Sequence, residues 1–115
     1  MELRTARGIP DRHSITLSCV GEIDHQTWEA FCQAIIDCAR PSRITAVVLD
    51  LSGVTFIDSG GIRAVIAARR ALEVDGVSIP VGRSPPRVRQ LFEATGLTPY
   101  FPPLDTHPRP RRKAN

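Results

Sequence analysis

The chain has 115 residues, 42% of them hydrophobic, 23% charged and 5% aromatic; this is the composition of one ordinary globular domain with an aliphatic core. The formal net charge is +3, but four of the 15 basic residues stand in the last seven positions, and the rest of the chain holds fewer basic than acidic residues, which number 12. A nucleic-acid-binding domain carries its basic residues as a patch on the fold, so this distribution argues against direct nucleic-acid binding. No apolar run approaches the ~20 residues of a membrane span.

The three cysteines, at positions 19, 32 and 38, form no C-x-x-C pair and have a poor spacing for zinc. We expect them to be free and buried, as in a protein of a reducing compartment. The N-terminal residues lack the apolar segment of a signal peptide. We therefore expect a cytoplasmic protein with no metal site.

The first half of the chain predicts two strands and a helix. Residues 1–12 are polar and can hold one short edge strand, and residues 14–20 alternate between apolar and polar, as a half-buried strand does. The segment 21–24 ends that strand, and its last residue, Asp24, is a good N-cap for a helix. Helical spacing then relates six apolar residues: Trp28, Phe31, Cys32, Ile35, Ile36 and Ala39.

The second half predicts two more strands and two more helices. Residues 44–51 are apolar and β-branched, which predicts a central strand buried on both faces; Ser52-Gly53 reads as a turn, and 54–57 returns to the core. Residues 58–61 open a second helix, which Asp75-Gly76 ends before a short strand at 77–81. Ser84 is expected to cap a third helix that Gly96 stops, and a last strand is expected at 100–104.

This alternation of strands and helices predicts a single α/β domain whose mixed, mainly parallel sheet is packed with helices. We divide the chain into an N-terminal edge segment at 1–12, the domain proper at 13–104, and a basic, proline-rich tail at 105–115 that is expected to be disordered.

The sequence contains neither a P-loop nor a dinucleotide-binding fingerprint. Ser59 lies between a strand and a helix, but a nucleophile elbow needs glycine two positions before the serine, where this chain has Ile57. The only later histidine, His107, is in the tail. A serine hydrolase is thus the weakest alternative. Three aspartates, Asp24, Asp50 and Asp58, follow or end strands, where function gathers in α/β sheets but where capping and turns also use aspartate.

Four blocks, in order, resemble the STAS domain, the fold of the anti-sigma factor antagonists. They are Gly21–Asp24, Val47–Ser52, Phe56–Gly61 and Ser84–Leu97. The resemblance spans residues 14 to 104 with family-like spacing. Each block alone is weak evidence, but their order is a strong indication of the fold.

The resemblance implies a phosphorylation site. The family's phosphorylated serine follows an aspartate at the start of the second main helix, a position that Ser59 holds here. Where the family often has a second hydroxyl residue this chain has Gly60, which excludes a second phosphosite there. Arg63, one turn further on, can contact an acidic partner or the phosphate itself. The expected partner-binding residues are Asp24, Asp58, Ser59, Gly60, Gly61 and Arg63. The alternatives are a plain helix cap for Ser59 and a solvated face for Arg63.

The implied function is that of an anti-sigma factor antagonist. Its unphosphorylated form would bind an anti-sigma factor with serine kinase activity and release a sigma factor. Phosphorylation of Ser59 would switch it off, and a serine phosphatase would reverse this. The chain itself would catalyse nothing and need no cofactor. The other possibility within the family is a constitutive STAS subunit of a lipid-transport or stress-signalling complex. The sequence does not fix the oligomeric state.

Overall fold

The structure, a computed structural model, describes residues 2–99 and residue 101. Its strands and helices follow one another as β1 (Leu3–Arg7), β2 (Ser14–Ile23), α1 (Trp28–Cys38), β3 (Ala46–Ile57), α2 (Ser59–Glu73) and α3 (Pro86–Ala94). β1 pairs antiparallel with β2, and β2 pairs parallel with β3. The predicted α/β fold with a mixed sheet is confirmed, as is the edge strand within residues 1–12. The tail at 105–115 and most of the expected strand at 100–104 lie outside the described residues.

The core lies on one face of the sheet, because alternate residues of β2 and β3 point to the same side. Leu17 and Cys19 of β2 and Val47 and Leu49 of β3 are buried in one cluster with residues of the helices. The intervening residues of β3, such as Val48, are only half-buried. The prediction that this strand is buried on both faces is therefore wrong. A sheet covered by helices on one side needs only one apolar row per strand.

β3 is one continuous strand, so the prediction of a turn at Ser52-Gly53 is wrong. The register between β2 and β3 shifts at this point, since Ser18 pairs with Asp50 while Val20 pairs with Gly53. This extra residue in β3 is a β-bulge, which bends a strand without ending it. A Cβ on Gly53 would lie 2.9 Å from the Cys19 carbonyl oxygen. The glycine therefore permits close packing of β2 at the bulge, although the composition of this segment predicts a turn.

Helices α1 and α2 place their buried residues in the same cluster as the sheet. α1 contributes Phe31, Ile35 and Cys38, and α2 contributes Ala64, Val65, Ala68 and Leu72. Both helices begin near the same end of the sheet, because α1 follows β2, α2 follows β3 and the two strands are parallel with Ile23 opposite Ile57.

The segment from Ser78 to Val81, which follows α2, runs parallel to β3 and pairs with it at two isolated bridges, Ala46–Ser78 and Leu49–Val81. Pro80 interrupts the ladder between them because proline has no N–H group to donate. The strand predicted at 77–81 is thus reduced to these two bridges. α3 begins at Pro86 with Pro85 in the N-cap position, so Ser84 is not its cap. The predicted stop at Gly96 is confirmed by its positive φ of 73°.

The three cysteines are free, as predicted: Cys19 and Cys38 are buried, and Cys32 is half-buried. Within residues 2–99 and 101, no helix has the length and apolar character to cross a membrane.

Candidate functional site

The start of α2 is hydrogen-bonded to the end of β2 and follows directly after the end of β3. Asp58 is the N-cap residue of α2, in an extended conformation, and its Oδ1 accepts a hydrogen bond of 2.7 Å from the Gly60 N–H. The Asp58 N–H donates to the Ile23 carbonyl oxygen at the end of β2, at 3.2 Å. An N-cap carboxylate satisfies one free N–H group of the helix and complements the positive end of its dipole. The first turn of α2 thus has a fixed position.

Ser59 is the first residue of α2, and its side chain is exposed. Its hydroxyl forms no hydrogen bond with any of the residues that the structure describes. The alternative that Ser59 is the helix cap is wrong, because Asp58 already fills that role. Sequence alone cannot rank two adjacent capping residues. The Ser59 Oγ is left free at a helix end whose next three N–H groups are already paired with Asp58: Gly60 with its Oδ1, and Gly61 and Ile62 with its carbonyl oxygen.

Asp24 follows β2 and organises the loop that leads into α1. Its Oδ1 accepts hydrogen bonds from the Gln26 N–H at 2.9 Å, the Thr27 N–H at 3.1 Å and the Thr27 hydroxyl at 3.2 Å. Its carbonyl oxygen accepts from the Trp28 N–H at 2.9 Å. α1 itself begins at Trp28, with Thr27 in the N-cap position. The prediction of Asp24 as the N-cap is therefore wrong; it instead closes the turn that precedes the helix.

The Asp24 carboxylate is only 1% exposed, and its Oδ2 is buried without a partner among the described residues. Burial is the largest influence on its pKa and raises it. The hydrogen bonds from Gln26 and Thr27, aided by the charge of His25, outweigh burial and hold the pKa below its usual value. The loop thus carries a buried, ionised carboxylate directly before α1.

Gly60 and Gly61 let the start of α2 lie against this loop. A Cβ added to Gly60 would lie 2.7 Å from both the carbonyl carbon and the carbonyl oxygen of Asp24. A Cβ added to Gly61 would lie 2.4 Å from the Ile57 Cγ1. Both positions are buried. Gly60 is therefore required by the close approach of the two segments, because any side chain there would meet the backbone of Asp24, whereas a side chain at Gly61 would meet the side chain of Ile57.

Arg63 joins α2 to α1. Its guanidinium carbon lies 5.4 Å from the centroid of the Trp28 ring, within the range of a cation–π interaction. Arg63 is exposed, while Trp28 is half-buried and packs against the core. Among the described residues Arg63 forms no salt bridge. The alternative interpretation, that Arg63 is simply a solvated residue, is thus incomplete, because its side chain covers the ring of Trp28.

The structure brings the six residues predicted to bind a partner to one end of the molecule, but not to one surface. Ser59 and Arg63 are exposed and Asp58 is half-buried, whereas Asp24, Gly60 and Gly61 are buried. Sequence reasoning missed Thr27, whose hydroxyl also donates to the Glu22 carbonyl oxygen at 2.8 Å. A threonine three residues after an aspartate is a known local hydrogen-bonding pattern and was the available signal.

The third aspartate of the sequence prediction has a local role. The Asp50 Oδ1 accepts from the Ser52 N–H at 3.0 Å and from the Ser52 hydroxyl at 2.7 Å, beside the bulge of β3. Of the described histidines, His13 shares a hydrogen bond with the Arg43 carbonyl oxygen, and neither His13 nor His25 is hydrogen-bonded to Ser59.

Comparison with known proteins finds a match to the STAS domain over residues 1–109. An anti-sigma F factor antagonist of Lysinibacillus sphaericus is 31% identical over 91 residues, which are 78% of this chain and 77% of that protein. The crystal structure of an anti-sigma factor antagonist from Mycobacterium paratuberculosis is 31% identical, with a TM-score of 0.76 over 91% of this chain and 87% of that one.

The fold is also similar to that of the anti-sigma factor antagonist SpoIIAA. Its unphosphorylated form is 22% identical, with a TM-score of 0.72 over 90% of each chain. Its phosphorylated form, from Bacillus, is 21% identical, with a TM-score of 0.66 over 90% of this chain and 93% of that one. The sequence match over nearly the whole chain, the two relatives at 31% identity and the shared fold lead to one conclusion: this chain belongs to the STAS domain family.

Proposed function

We propose that this protein is a cytoplasmic anti-sigma factor antagonist whose binding to its anti-sigma factor is controlled by phosphorylation of Ser59. The observation that carries the proposal is the free hydroxyl of Ser59 at the start of α2, next to a cap supplied by Asp58. A serine that also capped the helix would have to give up its hydrogen bond when modified. Here the helix keeps its cap whether or not Ser59 carries a phosphate.

The proposed modification is a phosphoryl transfer from ATP, made by an anti-sigma factor with serine kinase activity. The Ser59 Oγ forms a bond to the γ-phosphorus while the bond from that phosphorus to the oxygen of ADP breaks. The hydroxyl proton passes to a base of the kinase. A serine phosphatase reverses the change by hydrolysis, in which water takes the phosphoryl group and leaves inorganic phosphate. This chain supplies only the acceptor hydroxyl.

A phosphate on Ser59 is compatible with the folded domain. The positive end of the α2 dipole favours a negative charge at this place. A partner seated over the same helix end is affected differently, because about −1.5 to −2 charges must then be desolvated in the interface. These negative charges of the phosphate also lie beside the negatively charged carboxylate of Asp58. Phosphorylation would therefore preserve the domain and weaken the complex.

In this proposal the six site residues divide into two groups. Ser59, Arg63 and the half-buried Asp58 are proposed to contact the partner. Asp24, Gly60 and Gly61 are buried and are proposed to hold the contact residues in position. The relatives support the proposal, since the proteins of Lysinibacillus sphaericus and Mycobacterium paratuberculosis and SpoIIAA are all anti-sigma factor antagonists, and SpoIIAA has a phosphorylated form.

The test is mass spectrometry of the protein isolated from its own source, together with binding of its purified anti-sigma factor. We expect one phosphate on the peptide that contains Ser59, and none there in Ser59→Ala. Binding should be retained by the unmodified protein and lost when Ser59 is phosphorylated. Ser42→Ala is the matched control, since Ser42 is an exposed serine outside the site. A complex that forms equally well with and without the phosphate would contradict the proposal.

The same experiments separate the two alternatives. A constitutive subunit of another complex would stay bound to its partners under all growth conditions, and would be found without phosphate on Ser59. A serine hydrolase would release product from generic esters, and Ser59→Ala would abolish the release. No observed contact of Ser59 favours either alternative.

A further inference from the structure

The contact between Arg63 and Trp28 lies one helical turn from Ser59. Positions 59 and 63 are four residues apart in α2, so their side chains project from the same face of the helix. Arg63 rests on the ring of Trp28, the first residue of α1, and forms no ion pair among the described residues. A single guanidinium is thus within side-chain reach of two alternative sites, an aromatic ring and the Ser59 hydroxyl position.

We infer that Arg63 reports the phosphorylation state of Ser59 by exchanging one contact for another. In the unmodified protein its guanidinium covers Trp28; in the phosphorylated protein it leaves the ring and pairs with the phosphate. This inference rests on the proposed function, because it concerns the same modified serine.

The exchange follows from the strengths of the two contacts. A cation–π contact at an exposed position is weak, since water competes for the cation. Hydrogen bonds between a guanidinium and a phosphate join two charged groups and are roughly twice as strong as hydrogen bonds between neutral groups. Arginine can make two such bonds at once. Since no carboxylate among the described residues holds Arg63, the phosphate competes only with Trp28.

The exchange changes the surface of both helices. When Arg63 leaves the ring, Trp28 is uncovered on α1, while α2 gains a phosphate partly neutralised by the guanidinium. A partner that binds the unmodified surface would then lose its contact with Arg63 at the original place. It would also encounter the new negative charge on Ser59. Phosphorylation of one residue would thus change the surface at two places, Ser59 on α2 and Trp28 on α1.

The test uses the full chain produced with phosphoserine encoded at position 59, so that no kinase is needed. Trp28 is the only tryptophan in the chain, so the emission of the protein reports on this ring. We expect a shift of emission to longer wavelength on going from serine to phosphoserine, because the ring loses its cover. In Arg63→Gln the same modification should leave the emission unchanged. Arg70→Gln, in an exposed arginine of the last turn of α2, should behave as the wild type.

The second measurement is the ³¹P NMR signal of the phosphoserine, which should differ between the wild type and Arg63→Gln but not between the wild type and Arg70→Gln. The inference would be overturned if the tryptophan emission were the same with serine and with phosphoserine at position 59. It would also be overturned if the ³¹P signal were the same in the wild type and in Arg63→Gln. Neither result depends on a kinase or a partner. Failure of the proposed function would instead be seen in the binding experiment, so the two failures are distinguishable.

Discussion

Gly60 in α2 packs directly against the main chain of Asp24 in the loop after β2, and no side chain can fit between them. A Cβ on Gly60 would lie 2.7 Å from the Asp24 carbonyl carbon and oxygen and 3.0 Å from the Asp58 Oδ1. The helix end that carries Ser59 and the loop that carries the buried carboxylate are therefore held as one unit. The position of Ser59 depends on a residue that lacks a side chain.

Gly60→Ala should destabilise the protein. Alanine is favoured over glycine inside a helix by about 1 kcal/mol, but forcing extra volume against fixed backbone costs about 1–3 kcal/mol. We expect a net loss, seen as a lower midpoint of urea unfolding with an unchanged slope. Gly8→Ala is the control, because a Cβ there would lie 3.5 Å from the Thr16 carbonyl oxygen, an ordinary contact. A Gly60→Ala midpoint equal to that of the wild type would contradict the packing argument.

The Asp58 cap should contribute measurably to stability. Asp58→Ala removes the hydrogen bond of 2.7 Å to the Gly60 N–H, and loss of an N-cap costs about 0.5–2 kcal/mol. Asp58→Asn retains an acceptor oxygen at the same place and should lose much less. The free energies of unfolding of the two variants, measured in urea at neutral pH, test this. If both lost the same amount, the carboxylate charge and not the cap would be responsible.

Asp24 should make the protein sensitive to acid. Its pKa lies below the usual value in the folded state, because the hydrogen bonds from Gln26 and Thr27 outweigh the effect of burial. A depressed carboxylate pKa adds stability above the unfolded pKa of about 3.9, and this stability is lost as the pH falls through the folded pKa. Unfolding free energy measured from pH 6 to pH 2 should therefore fall less steeply in Asp24→Asn than in the wild type. Asp75→Asn, at an exposed position, serves as the control, and equal slopes for wild type and Asp24→Asn would refute this.

The sequence predicts the fold at the level of elements, because periodicity reports which face of each element is buried. It does not predict where elements end when several residues can do the same task. Asp58 and Ser59 are both good caps, and only the backbone hydrogen bond from Asp58 to Ile23 selects the first. Ser52-Gly53 has the composition of a turn, yet its neighbours β2 and β3 continue to pair through it. In both cases the local sequence is compatible with two structures, and hydrogen bonds to residues far away in the chain determine which one forms.

The same limit applies to the site. The resemblance of short motifs locates Asp24, Asp58 and Ser59, because such motifs lie at the ends of strands. It does not locate the contact between Arg63 and Trp28, since the two residues are 35 positions apart in the chain and meet only when α1 packs on α2. Nor does it distinguish contact residues from support residues. Burial alone makes that distinction, and burial depends on the tertiary structure.

The three cysteines should differ in reactivity. Burial, together with the charge of Asp50 and the neighbouring Cys38, raises the pKa of Cys19 to about 12. Burial also raises the pKa of Cys32 and of Cys38, but Cys32 is only half-buried. Because the thiolate is the reactive form, we expect iodoacetamide at pH 8 to label Cys32 first. Cys19 and Cys38 should be labelled only after urea is added. Peptide mass spectrometry gives the order, and labelling of Cys19 as fast as Cys32 in the native protein would contradict it.

Phe101 should mark the end of the cooperative core. It is 2% exposed and packs edge-to-face on Phe92, with ring centroids 5.9 Å apart. Its N–H donates to the Leu97 carbonyl oxygen at 3.0 Å, so the ring is held by the turn after α3. Phe101→Ala should cost about 3–5 kcal/mol, as for other buried phenylalanines, whereas deletion of residues 106–115 should leave the urea midpoint unchanged. If that deletion lowers the midpoint as much as Phe101→Ala does, the tail packs on the domain, and the division of the chain at residue 105 is wrong.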